Sequence, residues 1–436
     1  MCSRASSTRC QNSDASAVLL FTHPTGNANV RHAALGLHRA GLIEEFWTCI
    51  NYRGDNPLSR LLPGGVRAQL ARRSFPDELQ SCLRAHPWRE AARLFSHRAR
   101  LGHLARHETG ILSVDAVYRS LDDRVARRLR RGNFTGVYAY EDGAAHSFRE
   151  ARRRGLKTFY DLPIGYWRAA RELLLEEAEL KPAWASTLIG NDDSPAKTAR
   201  KDEELALANR VYVASSYTLK TLSSAPGFSA PVEVIPYGAP LRPASAPRRA
   251  ERDGAGPLRV IFVGSLGQRK GLSYLFDACR SLGPAVELTI IGTLPLQPCA
   301  ALETELKRPG VRWIPSCPHA EVLAEMAAHD VFVFPSLFEG FGLVLLEAMA
   351  MGLPVIATSH TAAPDLIDDG REGYLVPIRS SEAIAEKLDL LRRDPALINA
   401  LGSRAAARAA AFTWENYGRR LAASVSGACQ AAGSSG

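Results

Sequence analysis

The amino-acid sequence predicts an α/β protein built from two doubly wound domains that face each other across a cleft. The chain has 436 residues, and this length suits two domains of roughly 200 residues each. Apolar runs alternate with helical segments in two successive series, as strands and crossover helices do in parallel sheets. Residues 238–257, which separate the series, have no periodic apolar pattern and read as a linker. We therefore expect a first domain over 1–237 and a second over 258–412.

The first domain is predicted to begin with a strand over 17–22 and a helix over 30–40. The loop between them contains Gly26. A strand, a glycine-containing loop and a helix begin a doubly wound unit, in which ligands bind at the carboxyl ends of the strands. A single glycine is a weak phosphate-binding signal, so the pattern alone favours a simple turn.

Later apolar runs of the first domain predict further strands, at 46–50, 136–140, 158–161, 210–215 and 232–237. The segments 58–131 and 168–208 are helix-rich. Three carboxylates, Glu141, Asp142 and Asp161, stand where two of these strands end. Because the ends of parallel strands face the cleft, these carboxylates are candidate site residues.

The second domain repeats the alternation, with predicted strands at 258–263, 286–291, 311–314, 331–334 and 355–358. Helices are expected from about 273, near 300, and over 320–328 and 343–351. Between the first strand and the first helix, loop 264–271 contains Arg269 and Lys270 side by side. Two adjacent cations at such a position can neutralise a diphosphate as its charge develops.

The loop before helix 343–351 contains Glu339, and the helix itself contains Glu347, in an otherwise apolar segment. Burying a carboxylate is costly unless it is paired, so a ligand is one natural partner. The amides of Phe341, Gly342 and Leu343 are predicted to lie at the positive end of the helix dipole, where phosphate oxygens bind. The alternative from this pattern is a capped core helix with two satisfied acids.

The cysteines and the apolar runs indicate the compartment in which the protein works. Eight cysteines are scattered without paired spacing, which argues against a zinc site or disulfide framework and for a reducing compartment. No apolar run reaches the roughly 18–20 residues of a membrane span, and residues 1–10 lack the apolar core of a signal peptide. We therefore expect a cytoplasmic protein.

The net charge of +9 belongs to the first domain. Residues 1–237 contain 34 Lys and Arg against 25 Asp and Glu, whereas the remainder is balanced. One interpretation is an Arg-rich solvated surface, and the other is attraction to an anionic membrane or acceptor. Nucleic acid is disfavoured because no aromatic-interleaved basic platform is present.

Three segments together resemble glycosyltransferase family 4, the retaining enzymes of the GT-B fold. They are loop 264–271, the run Val-Ile-Pro-Tyr-Gly at 234–238, and the element from Glu339 to Glu347. Seven residues separate the two glutamates, inside Pro-Ser-x-x-Glu-Gly-Phe-Gly and Glu-Ala-Met-Ala-x-Gly-x-Pro-Val. The resemblance is strong over 232–376 and looser over 17–237.

The resemblance implies roles for the matched positions. Arg269 and Lys270 would bind the pyrophosphate of a donor, Glu339 would bind hydroxyls of the transferred sugar, and Glu347 would bind the ribose. Loop 314–317 would border the base, and a final helix over 413–430 would cross back to the first domain. The positions expected to bind the donor are Gly26, Gly264, Ser265, Phe341, Gly342, Leu343 and Glu347.

Two positions depart from the family pattern. Ser265 stands where the family often has arginine, and Arg269 could supply that second charge. Asp161 stands where the family commonly has histidine at the end of a strand. An aspartate there could accept a hydrogen bond from an acceptor hydroxyl, so we count Asp161 with Arg269, Lys270 and Glu339 as catalytic candidates.

The sequence is therefore predicted to encode a retaining glycosyltransferase that moves a sugar from a nucleotide-diphosphate donor to a hydroxyl acceptor in glycan or glycolipid biosynthesis. No cofactor is expected, and no metal either, because no Asp-x-Asp triplet occurs. The expected partners are the donor and a glycan or lipid-linked acceptor, with peripheral contact with an anionic membrane as a further expectation. The alternatives are a sugar-nucleotide epimerase of the same fold and a catalytically silent sugar-nucleotide-binding protein.

Overall fold

Two parallel α/β sheets form the protein, and they confirm the predicted fold class. The computed structural model describes residues 18–54, 63–99, 101–188, 193–239, 254 and 256–430. Most of the predicted linker, residues 240–253 and 255, lies outside the described residues, so the exact domain boundaries stay a prediction. Among the described helices, none combines the length and apolar character needed to cross a membrane.

The first domain contains a seven-stranded sheet in the order β3-β2-β1-β4-β5-β6-β7. Its strands are β1 (Leu19–Thr22), β2 (Ile43–Thr48), β3 (Leu83–Ala85), β4 (Gly136–Tyr140), β5 (Lys157–Leu162), β6 (Arg210–Val213) and β7 (Val232–Val234). Its helices are α1 (Ala28–Arg39), α2 (Gly64–Ala71), α3 (Trp88–Arg98), α4 (Val114–Arg131), α5 (Ala145–Arg153), α6 (Trp167–Leu180), α7 (Pro195–Ala206) and α8 (Ser216–Thr221). Apolar side chains cover both faces of the central strands, which explains why these strands appear in the sequence as uninterrupted apolar runs.

The second domain contains a six-stranded sheet in the order β10-β9-β8-β11-β12-β13. Its strands are β8 (Leu258–Val263), β9 (Val286–Ile291), β10 (Val311–Ile314), β11 (Val331–Phe334), β12 (Val355–Thr358) and β13 (Gly373–Val376). Its helices are α9 (Leu272–Leu282), α10 (Ala300–Leu306), α11 (His319–Ala327), α12 (Leu343–Ala350), α13 (Ala363–Leu366), α14 (Ser381–Arg393) and α15 (Pro395–Ala409), and α16 (Trp414–Gln430) follows.

Both sheets reverse their strand order at one point, between β1 and β4 in the first domain and between β8 and β11 in the second. Loops that leave the carboxyl ends of such neighbouring strands diverge and open a crevice, where ligands of doubly wound folds bind. In the second domain these two loops contain the Arg269–Lys270 pair and Glu339. In the first domain they contain Gly26 and Glu141.

The chain crosses between the domains twice, and the two crossings lie side by side. Ala239 forms a parallel bridge with Thr413, and its amide donates to the carbonyl of Phe412 at 2.9 Å. Beyond this point α16 packs along α1 of the first domain. At the closest approach, a Cβ added to Gly36 would lie 2.4 Å from the Cα of Gly418, so glycine is required for the two helices to meet.

Gly36→Ala is expected to lower the free energy of unfolding by about 1–3 kcal/mol, because the added methyl group forces α1 and α16 apart. The measurement is thermal or urea unfolding. Gly427→Ala is the matched control on α16, where an added Cβ meets no atom within 4 Å. The control should be neutral or stabilise by up to about 1 kcal/mol, since alanine is the better helix former. Equal effects of both changes would contradict this packing.

Candidate active site between the two domains

The loop that follows β8, residues 264–271, is held against the loop that follows β11. It contains a single 3₁₀ turn, Gln268–Lys270, which ends at Gly271. Gly271 has a φ of 70°, and a Cβ at this position would lie 2.0 Å from the carbonyl oxygen of Pro335. The amide of Leu337 donates to the carbonyl of Arg269 at 2.9 Å. These contacts bring the two loops of the switch point together; we call residues 264–271 the Arg-Lys loop.

Arg269, Lys270 and Glu339 form one cluster of charges. The ammonium group of Lys270 contacts the carboxylate of Glu339, and a guanidinium nitrogen of Arg269 lies 3.5 Å from the same carboxylate. Burial would raise the pKa of Glu339, but the charges of Lys270 and Arg269 outweigh burial and hold the pKa below its usual value. The cluster therefore contains two cations for one anion.

The peptide from Phe341 to Leu343 begins α12. Gly342 has a φ of 84°, and a Cβ there would lie 2.8 Å from the ring of Phe334, so a residue without a side chain is needed at this helix start. The ring of Phe341 is buried and lies 5.1 Å from the ring of Tyr237. The first amides of a helix have no partner within the helix, and they carry its positive partial charge.

Glu347, on the second turn of α12, lies apart from the charge cluster and is paired with a different residue. Its Oε1 lies 3.0 Å from Nε2 of His319. Hydrogen bonding to this carboxylate raises the pKa of His319. His319 begins α11, directly after the 314–317 loop, so Glu347 lies next to the segment predicted to border a nucleotide base.

A cavity of about 580 Å³ lies between the domains. Its lining includes Ser265, Arg269 and Lys270 from the second domain and Glu141, Asp193 and Lys201 from the first. Because both domains line the cavity, cations of the second domain share it with carboxylates and cations of the first. Several predicted site residues are not among those that line this cavity, namely Gly26, Asp161, Gly264, Glu339, Glu347 and the peptide 341–343.

On the first-domain wall, Glu141 follows β4 and lies 3.7 Å from the ammonium group of Lys201. Burial raises the pKa of Glu141 to about 7, against the lowering effect of Lys201. Lys201 also lies 3.2 Å from Asp193. Sequence analysis identified Glu141 but missed Lys201 and Asp193. The available signal was the four-residue spacing of Lys197 and Lys201, which places both cations on one face of α7.

Asp161, a catalytic candidate from the sequence, lies at the end of β5 among tyrosines. The hydroxyl of Tyr138 donates to its Oδ2 at 2.7 Å, and only 3% of Asp161 is exposed. Burial raises the pKa of Asp161 to about 7. Asp161 therefore has a protein partner and does not line the cavity.

Gly26 lies in the loop after β1, where a Cβ would meet the ring of Phe75 at 2.5 Å. In this structure Gly26 allows close packing within the first domain. Gly264 continues β8 through a 2.9 Å hydrogen bond from its amide to the carbonyl of Ile291. Ser265, which follows it, is exposed to the cavity.

His107, Glu108 and Asp193 form a group whose ligand atoms lie within 4.8 Å of one another, in the part of the chain that the structure describes. The ammonium groups of Lys197 and Lys201 lie 2.8 and 3.2 Å from Asp193. These cations already neutralise Asp193 and oppose the binding of a further positive ion. The expectation that no metal takes part stays a prediction.

Comparison with known proteins gives the family of the second domain. Residues 257–394 match the family model described as glycosyl transferases group 1. WcaL of Salmonella typhimurium, assigned to colanic acid biosynthesis, is 34% identical over 184 residues, which cover 38% of this chain and 44% of the relative. The D-inositol 3-phosphate glycosyltransferase of Arthrobacter sp. is 34% identical over 198 residues, which cover 42% and 47%. The chain thus spans less than half the length of these curated relatives.

Solved structures match nearly the whole chain at low identity. Sucrose-phosphate synthase from Thermosynechococcus elongatus superposes with a TM-score of 0.65 and 17% identity, covering 95% of this chain and all of the other. Anabaena HepE, solved in complex with UDP and glucose, superposes with a TM-score of 0.62 and 17% identity over 94% of this chain and all of the other. At this identity the likeness shows the fold, and it confirms the two-domain GT-B arrangement.

Proposed function

The second domain belongs to the glycosyl transferases group 1 family, and we propose that the chain is a retaining glycosyltransferase of family 4 that uses a nucleotide-diphosphate sugar. The observation that carries the proposal is the cluster of Arg269, Lys270 and Glu339 at the switch point of the second sheet. Two cations there exceed the charge of the one carboxylate. The excess positive charge faces the interdomain cavity and suits a diphosphate leaving group.

In the proposed reaction the bond between the anomeric carbon and the β-phosphate oxygen breaks as an acceptor hydroxyl attacks from the same face. The acceptor proton passes to the departing diphosphate, whose charge Arg269 and Lys270 stabilise. Glu339 would then exchange its ion pairs for hydroxyls of the sugar, and the amides at the start of α12 would meet the phosphates. HepE was solved in complex with UDP-glucose, which supports a donor of this chemical class.

Relatives named for colanic acid and amylovoran biosynthesis support a glycan acceptor. The acceptor would bind on the first-domain side of the cavity, where Glu141 could accept a hydrogen bond from its hydroxyl. We therefore transfer to Glu141 the acceptor role that the sequence suggested for Asp161.

The test is turnover of a panel of UDP-, GDP- and ADP-sugars, with glycan and lipid-linked acceptors, in buffer with and without excess chelator. We expect release of nucleoside diphosphate together with a glycosylated product of retained configuration, at equal rates in both buffers. An epimerised sugar nucleotide would favour the epimerase. Binding of a sugar nucleotide without turnover would favour the silent protein. A loss of activity in chelator that Mg²⁺ or Mn²⁺ restores would reveal a metal site.

The pH dependence of transfer should report Glu141. If its ionised carboxylate orients the acceptor hydroxyl, kcat/KM should rise with pH through about 7, because the pKa of Glu141 is raised to about 7. Glu141→Gln should lower kcat/KM by roughly tenfold or more and remove this limb. Asp161→Asn is the companion variant, since burial also raises the pKa of Asp161 to about 7. Loss of the limb in Asp161→Asn, with survival in Glu141→Gln, would assign the acceptor role to Asp161.

Peripheral contact with an anionic membrane remains our proposal for the basic first domain. Arg128 is unsuited to it, because its side chain is only 32% exposed and covers the ring of Phe134. Four other arginines line one surface groove of α4 and α5, namely Arg127, Arg130, Arg149 and Arg153. Each basic residue near such a membrane contributes about 1 kcal/mol at low ionic strength.

Replacing Arg127, Arg130, Arg149 and Arg153 by Ser should weaken sedimentation with vesicles of phosphatidylserine and phosphatidylcholine. Binding of the wild type should rise with the anionic fraction and fall with salt. The control removes the same charge from the second domain, by replacing Arg280, Arg312, Arg371 and Arg393, whose side chains are 51–70% exposed. No sedimentation of the wild type at low salt would leave a soluble acceptor as the better proposal.

A further inference from the structure

Glu177, on α6 of the first domain, is a fully buried carboxylate whose hydrogen-bond donors come from the second domain. Its Oε1 accepts from Nε2 of Gln268 at 2.7 Å and from the hydroxyl of Tyr274 at 2.9 Å. Its Oε2 accepts from Nε of Arg379 at 2.7 Å. None of its surface is exposed. We call Glu177, Gln268, Tyr274 and Arg379 the Glu177 cluster.

Further contacts and an uncommon backbone conformation hold Arg379 in the Glu177 cluster. Arg379 adopts a φ of 63°, a left-handed conformation that is uncommon for residues other than glycine. In that conformation it also donates to the carbonyl of Leu173 at 3.2 Å and pairs with Glu176 at 2.9 Å. A buried carboxylate is tolerated only when it is well paired, and here a cation and two neutral donors satisfy it.

Gln268 links this carboxylate directly to the Arg-Lys loop. It is the first residue of the turn that contains Arg269 and Lys270. Its amide donates to Oγ1 of Thr187 in the first domain at 2.8 Å, and its side-chain amide donates to Oγ of Ser273 at 2.7 Å. The turn that presents both cations is therefore fixed from the first domain, at its backbone and at its side chain.

We propose that Glu177 is a positioning residue for the diphosphate site. When the domains meet, Glu177 holds Gln268 and thereby sets Arg269 and Lys270 in the geometry that receives the leaving group. This inference rests on the proposed function and adds a residue that does not touch the substrate. A displacement of about 1 Å in such a charged group can reduce turnover about a hundredfold, so an indirect contact has a measurable effect.

The test compares Glu177→Gln with Asp365→Asn. Glutamine keeps the shape of the side chain but offers an NH₂ group or a neutral oxygen where Arg379 requires an anion. Asp365 is the matched control, because its Oδ2 also bridges the domains, accepting from the amide and hydroxyl of Ser216 at 2.8 and 3.0 Å. Tyr274→Phe removes a single hydrogen bond and is the milder variant if Glu177→Gln fails to fold.

Two measurements decide the proposal. Hydrogen exchange of residues 268–271 should accelerate about tenfold in Glu177→Gln and remain at the wild-type rate in Asp365→Asn. Calorimetry with UDP, GDP and ADP should show about tenfold weaker binding of the preferred diphosphate in Glu177→Gln. In a Lys270→Ala background the same change should have a clearly smaller effect, because only one of the two cations that Glu177 positions, Arg269, remains.

Unchanged exchange over 268–271 in a folded Glu177→Gln protein would overturn the proposal, as would additive effects of the Glu177 and Lys270 changes. If the wild type binds none of the three diphosphates, the proposed function fails, and hydrogen exchange alone still decides whether Glu177 fixes the loop. Accelerated exchange in both Glu177→Gln and Asp365→Asn would indicate general loosening of the interface and would also overturn it.

Discussion

Lys270→Ala is expected to lower kcat for sugar transfer by roughly 10²–10³, the loss seen when a group that stabilises developing charge is removed. Lys270 lies in the cavity wall, and its ammonium group is held within the charge cluster by Glu339. When the donor enters, this charge becomes available to the diphosphate. The measurement is steady-state turnover with the donor that the panel identifies.

A loss of activity in Lys270→Ala must be separated from a loss of stability. Lys270 is buried and its Nζ lies 4.8 Å from the centre of the Phe334 ring, so its removal also affects packing. Lys270→Met keeps most of that packing and should lose the same activity with a smaller fall in melting temperature. Lys307→Ala, at an exposed position after α10, should leave turnover unchanged. Near-wild-type turnover in Lys270→Met would exclude Lys270 from leaving-group stabilisation.

Glu339→Gln and Glu347→Gln are expected to differ in their effect on nucleoside diphosphate binding. Glu339 pairs with both Arg269 and Lys270 and offsets part of their positive charge. Its loss should leave diphosphate affinity unchanged or tighter, while kcat falls by roughly a hundredfold because sugar hydroxyls lose their acceptor. Glu347→Gln should weaken diphosphate binding by roughly tenfold, because ribose hydroxyls lose a charged hydrogen-bond acceptor.

Calorimetry with the nucleoside diphosphate and turnover of the sugar nucleotide separate the two roles. Glu321→Gln, on α11 near loop 314–317, is the control for loss of a carboxylate in this region. Equal weakening of diphosphate binding by the Glu339 and Glu347 changes would refute the division of roles between them. A wild-type kcat in Glu339→Gln would remove Glu339 from the transfer step.

The second domain was largely predictable because its strands are buried on both faces. A strand of that kind appears in the sequence as a mainly apolar run, and β8, β9, β11 and β12 begin and end where the runs do. The edge strand β10 is more exposed and also has its predicted bounds, whereas β13 was not predicted. β3 was not predicted: it has three residues, lies at the edge of its sheet and exposes two of them. Its segment therefore looked like part of the basic, helix-rich region 58–131.

The candidate site was predictable where its residues lie in loops at the ends of neighbouring strands. Arg269, Lys270 and Glu339 stand at the ends of strands that adjoin in the sheet, so strand order alone brings them near. Glu177, Lys201 and Asp193 lie on helices of the first domain or beside them, and their partners depend on how the domains are oriented. Asp161 shows the converse, because its position at a strand end suggested access, while neighbouring tyrosines enclose it.

The contact between α1 and α16 has a consequence for the order in which the protein can be completed. Helix α1 is synthesised before the rest of the first domain's helices, whereas α16 is synthesised only after the whole second domain. Until then the face of α1 around Gly36 stays uncovered. The first domain therefore cannot complete its packing until α16, which follows the second domain in the chain, has been synthesised. Nascent chains should need protection from aggregation during that interval.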